Sequence, residues 1–70
     1  MDFNKKIGEL LKEARKKGNL SLSEMGLKLN VAPTLIARWE RGKTNLTIDT
    51  ITRFADALGL EPEIKLKPKK

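Results

Sequence analysis

Apolar residues recur at helical spacing through most of this chain and at strand spacing only near its end. Ile7, Leu10, Leu11 and Ala14 make a 3.6-period stripe and predict a first helix. Asn4 is its expected N-cap, and Gly18, after Lys16 and Lys17, its expected stop. Ser21-Leu22-Ser23-Glu24 is a capping box that opens a second helix: the Ser21 hydroxyl takes a backbone donor while Glu24 reaches back. Leu20 and Met25 are spaced as a hydrophobic staple, Met25 and Leu29 point inward, and Asn30 tolerates the left-handed turn that ends the helix. A third helix starts at Pro33, which suits the first helical position, buries Ile36 and Trp39 beside Val31, and stops at Gly42. Thr47 caps a fourth, with Asp49 in its first turn; Ile48, Ile51, Phe54, Ala55 and Leu58 form its stripe and Gly59 closes it. Beyond it Leu60, Pro62, Ile64 and Leu66 alternate with Glu61, Glu63, Lys65 and Lys67, the period of a strand, stopped by Pro68.

Only Asn30, Val31 and Ala32 separate the second helix from the third. Helices joined so tightly cannot fold back antiparallel; they must cross steeply, as in a helix-turn-helix. The expected fold is therefore all-α, with four to five short helices over residues 1–59, then a short β-strand at 60–67 and a basic tail at 68–70. A lone strand leaves backbone donors and acceptors unpaired on both edges. Two-fold pairing about Ile64 would set Glu63 opposite Lys65 of a second copy and Glu61 opposite Lys67, so every charge on that face meets its opposite. The strand is thus expected to close a homodimer, with Leu60, Pro62, Ile64 and Leu66 facing the helices. The alternative is a free basic tail lying on a polyanion.

Length and composition narrow the chemistry. Seventy residues make one small domain, whose folding buries only ~60% of the unfolded surface. Cysteine and histidine are both absent, which excludes disulfides, a zinc site and every Ser-His or Cys-His nucleophile. No cofactor is expected. Aromatic residues make up 4% of the chain, too few for a base-stacking platform. The apolar runs are too short to span a membrane, and Met1-Asp2 leads into a charged stretch without the apolar segment of a secretory signal, so a cytoplasmic protein is expected. Fifteen Lys+Arg against nine Asp+Glu leave a net charge of +6. That balance favours nucleic acid, through counterion release, although many small domains are basic merely for solubility.

From Ile7 to Leu58 the chain resembles the Xre/Cro-repressor family, whose fold is lambda-repressor-like. The resemblance rests on Arg15, Leu20-Ser21, Met25, Val31, Ile36, Trp39-Glu40-Arg41-Gly42 and Ala55-Asp56-Ala57-Leu58-Gly59. It implies a structural ion pair between Arg15 and Glu40, a bidentate contact locking the first helix to the third. It also implies double-stranded DNA as partner, with the helix 33–41 in the major groove. Ser21 and Ser23 would lie at the phosphate backbone; Thr34, Ala37 and Arg38 would face base edges, with Pro33 opening the DNA-binding helix and Leu35 at the groove wall; Lys43, Thr44 and Asn45 would meet phosphates. A guanidinium at Arg38 can read guanine with two hydrogen bonds, worth ~1–3 kcal/mol of discrimination.

Departures from the family pattern thin the base-reading set. Leu22 stands where a phosphate-holding glutamine is usual, Pro33 where a polar residue opens the recognition helix, Asn30 for the turn glycine, Ala32 for the Ser/Thr cap and Gly26 for a small alanine. The implied function is a dimeric transcriptional regulator, a repressor of antitoxin or Cro type that occupies a promoter, leaning on backbone contacts and DNA shape. The strand ending in Pro68-Lys69-Lys70 is similar to those of antitoxins, which implies a cognate toxin as a further partner. The alternative is a protein-interaction module, toxin-neutralising or adapter, favoured by the apolar Leu22, Pro33 and Leu35 on the DNA face. An enzyme is not expected: Glu9 and Glu13 beside Lys5, Lys6, Lys12 and Lys16 are ordinary solvated surface.

Overall fold

The computed structural model describes residues 3–61, and in them four helices: α1 (Phe3–Lys17), α2 (Leu22–Leu29), α3 (Pro33–Glu40) and α4 (Ile48–Ala57). The helices follow the apolar stripes because each stripe is the only way for so short a segment to leave water. Their inward residues meet in one cluster of Leu11, Met25, Leu29, Ile36, Trp39 and Phe54, of which Met25, Ile36 and Phe54 are wholly buried. Trp39 of α3 and Phe54 of α4 meet edge to face, ring centres 6.4 Å apart.

The local start and stop signals act as their chemistry requires. Ser21 Oγ accepts the Glu24 N–H at 3.0 Å while the Ser21 N–H donates to Glu24 Oε1 at 2.8 Å, so the capping box is closed in both directions. Asn30 sits in the left-handed region at φ 60°, and the Val31 N–H donates to the Gly26 carbonyl at 2.9 Å. Thr47 Oγ1 accepts the Thr50 N–H at 3.1 Å and begins α4. Gly42 and Gly59 take positive φ after α3 and α4.

Two expectations are corrected. α1 already begins at Phe3, so Asn4 lies inside the helix and its side chain serves the loop before α4 instead of capping. α1 stops at Lys17, directly before Gly18 as expected, and the left-handed residue that follows is Asn19, at φ 58°. Leu10 and Ile48 belong to their helical stripes but are 54% and 67% exposed, because the described residues supply nothing to lie over them. Leu60 and Glu61, the first residues of the expected strand, lie in neither helix nor strand of the single chain, and among the described residues there is no strand. The rest of the expected strand, with Glu63, Ile64, Lys65, Leu66 and Lys67, and the tail at 68–70 fall outside the described residues.

Candidate nucleic-acid interface

The site is built on the α2–α3 pair, and close backbone approach sets its geometry. A Cβ added at Gly26 would lie 2.6 Å from the Val31 carbonyl oxygen, too near for any side chain. Glycine at 26 is therefore what lets the turn close on α2. α1 crosses the far end of α3 equally closely: a Cβ at Gly8 would meet the Trp39 and Glu40 carbonyl oxygens at 2.5 and 2.7 Å.

A bidentate ion pair then fixes α3 to α1. Arg15 Nε donates to Glu40 Oε2 at 2.7 Å and Nη2 to Glu40 Oε1 at 3.0 Å, with both side chains buried. The remaining arm, Nη1, donates to the Leu20 carbonyl at 2.7 Å, so one guanidinium joins α1, the start of α2 and the end of α3. The hydrogen bond to Glu40 raises the Arg15 pKa above its ordinary value against the opposing effect of burial. This arrangement satisfies both charges where water is excluded, the condition for a buried pair to hold.

With α3 so held, Pro33, Thr34 and Arg38 are exposed and Ala37 is half-buried between them. Ala32, at the N-cap of α3, makes no side-chain cap hydrogen bond, and Pro33 needs no acceptor for its nitrogen. After α3 the Lys43 N–H donates to the Arg38 carbonyl at 3.1 Å, which folds the loop back and sets Lys43 next to the helix end. Asn45 is exposed and its Oδ1 accepts from Asn4 Nδ2 at 2.9 Å, while Asn4 Oδ1 accepts the Leu46 N–H at 3.3 Å. The Thr44 hydroxyl is covered and has no hydrogen-bond partner among the described residues.

Ser21 and Ser23 are exposed at the start of α2. Ser21 spends its hydroxyl and its N–H on the capping box, leaving the N–H groups of Leu22 and Ser23 as the donors without an intrahelical acceptor. Glu24 stands at the same helix end, and its hydrogen bonds from Ser21 hold its carboxyl below the usual carboxylate range. The three apolar residues of the expected DNA face separate on inspection. Leu22 and Leu35 are half-buried against the core, and Pro33 alone of them is exposed.

The geometry is that of two short helices crossing at a tight turn, the second braced from behind by a buried ion pair. The helix-turn-helix family profile matches residues 11–65, well over half of the chain. The chain belongs to the Xre/Cro-like helix-turn-helix family. This is a family of DNA-binding transcription regulators, and that coarse function is the one the match carries. No curated protein matches the chain at a significant level.

Three positions in this helix-turn-helix domain escaped sequence reasoning. Asn4 pairs with Asn45 across most of the chain, and no local pattern announces such a bond. Arg53 of α4 donates from Nη2 to the Leu29 carbonyl at 3.2 Å, capping the C-terminal end of α2 from another element. Gly8 did leave a signal: a glycine inside a helical stripe costs ~1 kcal/mol and so marks a close approach. No helix among the described residues is long and apolar enough to cross a membrane.

Proposed function

We propose that this chain is a sequence-specific transcriptional regulator that binds double-stranded DNA as a two-fold dimer, with α3 in the major groove. Repression follows from occupying a promoter, in an autoregulating antitoxin or in a Cro-type repressor. The observation that carries the reading is the exposed edge of α3, Thr34 and Arg38 with Ala37 between them, held rigid by the Arg15–Glu40 pair. Lys43 on one side and the Leu22 and Ser23 N–H groups on the other flank that edge as phosphate contacts. Direct readout rests on Arg38, since Ala37 offers a methyl to thymine and Thr34 a single hydroxyl.

Selection from a randomised duplex library tests this. A two-fold dimer enriches a palindrome with half-site centres ~10 bp apart, or a multiple of that. Enrichment of no sequence leaves an architectural binder and sinks the specific reading. Leu22 and Leu35 are partly buried against the core, which supports the regulator over the competing adapter reading by leaving less apolar surface for docking. Arg38→Ala with Lys43→Ala separates the two: DNA binding collapses in a regulator, and partner binding survives in an adapter.

A further inference from the structure

The loop 41–47, between α3 and α4, is tied to the first turn of α1 through backbone and side chain. Gly42, at φ 72°, lies so near that a Cβ on it would stand 2.5 Å from Lys5 Cα and 2.8 Å from the Lys5 nitrogen. Further along, the half-buried Asn4 side chain holds the loop twice. Its Oδ1 accepts the Leu46 N–H at 3.3 Å, and its Nδ2 donates to Asn45 Oδ1 at 2.9 Å. Lys43 and Asn45 are the exposed polar residues that these ties carry.

The side-chain bonds have a direction, and it runs outward. A backbone N–H can only donate, so the Leu46 N–H fixes which side of the Asn4 amide carries the oxygen. The amino side of Asn4 then faces Asn45 and can only donate in its turn, which fixes the Asn45 oxygen inward. What Asn45 has left is its amino group, exposed and without an acceptor among the described residues. Phosphate oxygens accept hydrogen bonds, so an amino group turned outward suits them and a carbonyl oxygen turned outward would repel them. We infer that Asn4 is a positioning residue for DNA binding: through the chain Leu46 N–H, Asn4, Asn45 it turns the Asn45 amino group outward as a neutral donor to a backbone phosphate, on the same loop as Lys43. This rests on the reading of the chain as a DNA-binding regulator, and adds to it a residue of α1, outside the α2–α3 pair.

The test is a double-mutant cycle of Asn4→Asp and Asn45→Ala in the full chain, read as affinity for a selected and a scrambled duplex by fluorescence anisotropy. Asn4→Asp keeps the acceptor for the Leu46 N–H and puts a carboxylate in the first turn of a helix, where it is favourable, so the helical circular dichroism is retained. Its second oxygen draws the Asn45 amino group inward and turns the Asn45 oxygen towards the DNA. Asn45→Ala is expected to weaken both duplexes alike by about tenfold, the effect of one hydrogen bond to a charged group. It leaves the salt slope unchanged, because no charge is removed. Asn4→Asp is expected to weaken binding about as much in the wild-type background, and much less where Asn45 is already alanine. An equal loss in both backgrounds is the mark of a repelling charge and not of a positioned amide, and overturns the inference. Wild-type affinity in Asn45→Ala overturns it too, while leaving the regulator standing. A wild-type chain that binds neither duplex overturns the regulator itself.

Discussion

Arg15 is the residue on which most of the domain converges, since its three donors reach Glu40 twice and the Leu20 carbonyl once. Removing either partner leaves a buried charge uncompensated, a loss of ~3–5 kcal/mol. At roughly 0.05–0.15 kcal/mol per residue, a chain this short holds only about 4–10 kcal/mol in all. Arg15→Ala and Glu40→Ala should therefore be largely unfolded or melt far below wild type, as urea titration of the helical signal would show. Glu24 gives a pH-dependent counterpart. Its carboxyl binds a proton less tightly in the folded chain than in the unfolded one, because the Ser21 N–H and hydroxyl favour the charged form. Folding thus gains from it above the ordinary carboxylate pKa, about 4.3, and loses that gain as pH falls through the lower folded value. Thermal melts from about pH 6 to about pH 3 should show Glu24→Gln less stable than wild type at the upper end and the two converging at the lower.

At the scale of the elements, two glycines decide how closely helices meet. Alanine is the better helix former by ~1 kcal/mol, and on propensity alone Gly8→Ala and Gly26→Ala would stabilise α1 and α2. Against this, each new methyl would press on a backbone carbonyl, at 2.5 Å for position 8 and 2.6 Å for position 26. Backbone does not swing aside as a flexible side chain does, and such overpacking costs typically ~1–3 kcal/mol. The steric cost wins, so both variants should be destabilised in chemical denaturation, and Gly26→Ala should also weaken DNA binding by forcing the turn open. Local propensity identified the α2 start and the Asn30 stop correctly from a few adjacent residues, because caps are local chemistry. It misplaced Asn4, because an asparagine that could cap a helix found a better partner in Asn45 through tertiary contact.

For the whole molecule, the net charge of +6 and the placement of Lys43 beside the end of α3 make affinity for DNA an electrostatic matter first. Binding should fall with salt along a log–log slope of about −0.9 for each phosphate neutralised. Lys43→Ala should make that slope shallower by about 1 and weaken all sequences alike, whereas Arg38→Ala should relax the preference at one base pair. Fluorescence anisotropy over a salt series, with the selected duplex and a scrambled one, separates the two effects. An affinity indifferent to salt would count against DNA as the partner.

The order of the helices, the tight turn between α2 and α3 and the Arg15–Glu40 pair were legible from sequence, the first two from periodicity and caps within a few residues and the pair from family resemblance. Those features depend on neighbours in the chain or on a spacing that the whole family shares. Tertiary structure alone decided that Gly26 and Gly8 are contact points, that Arg53 caps α2, that Thr44 hides its hydroxyl and that Leu22 and Leu35 face the core. It also decided that the stripes of α1 and α4 are wider than the four-helix core can cover, which leaves Leu10 and Ile48 on an open groove. A helical stripe states which residues avoid water; only the packed arrangement of the other helices determines which of them are covered.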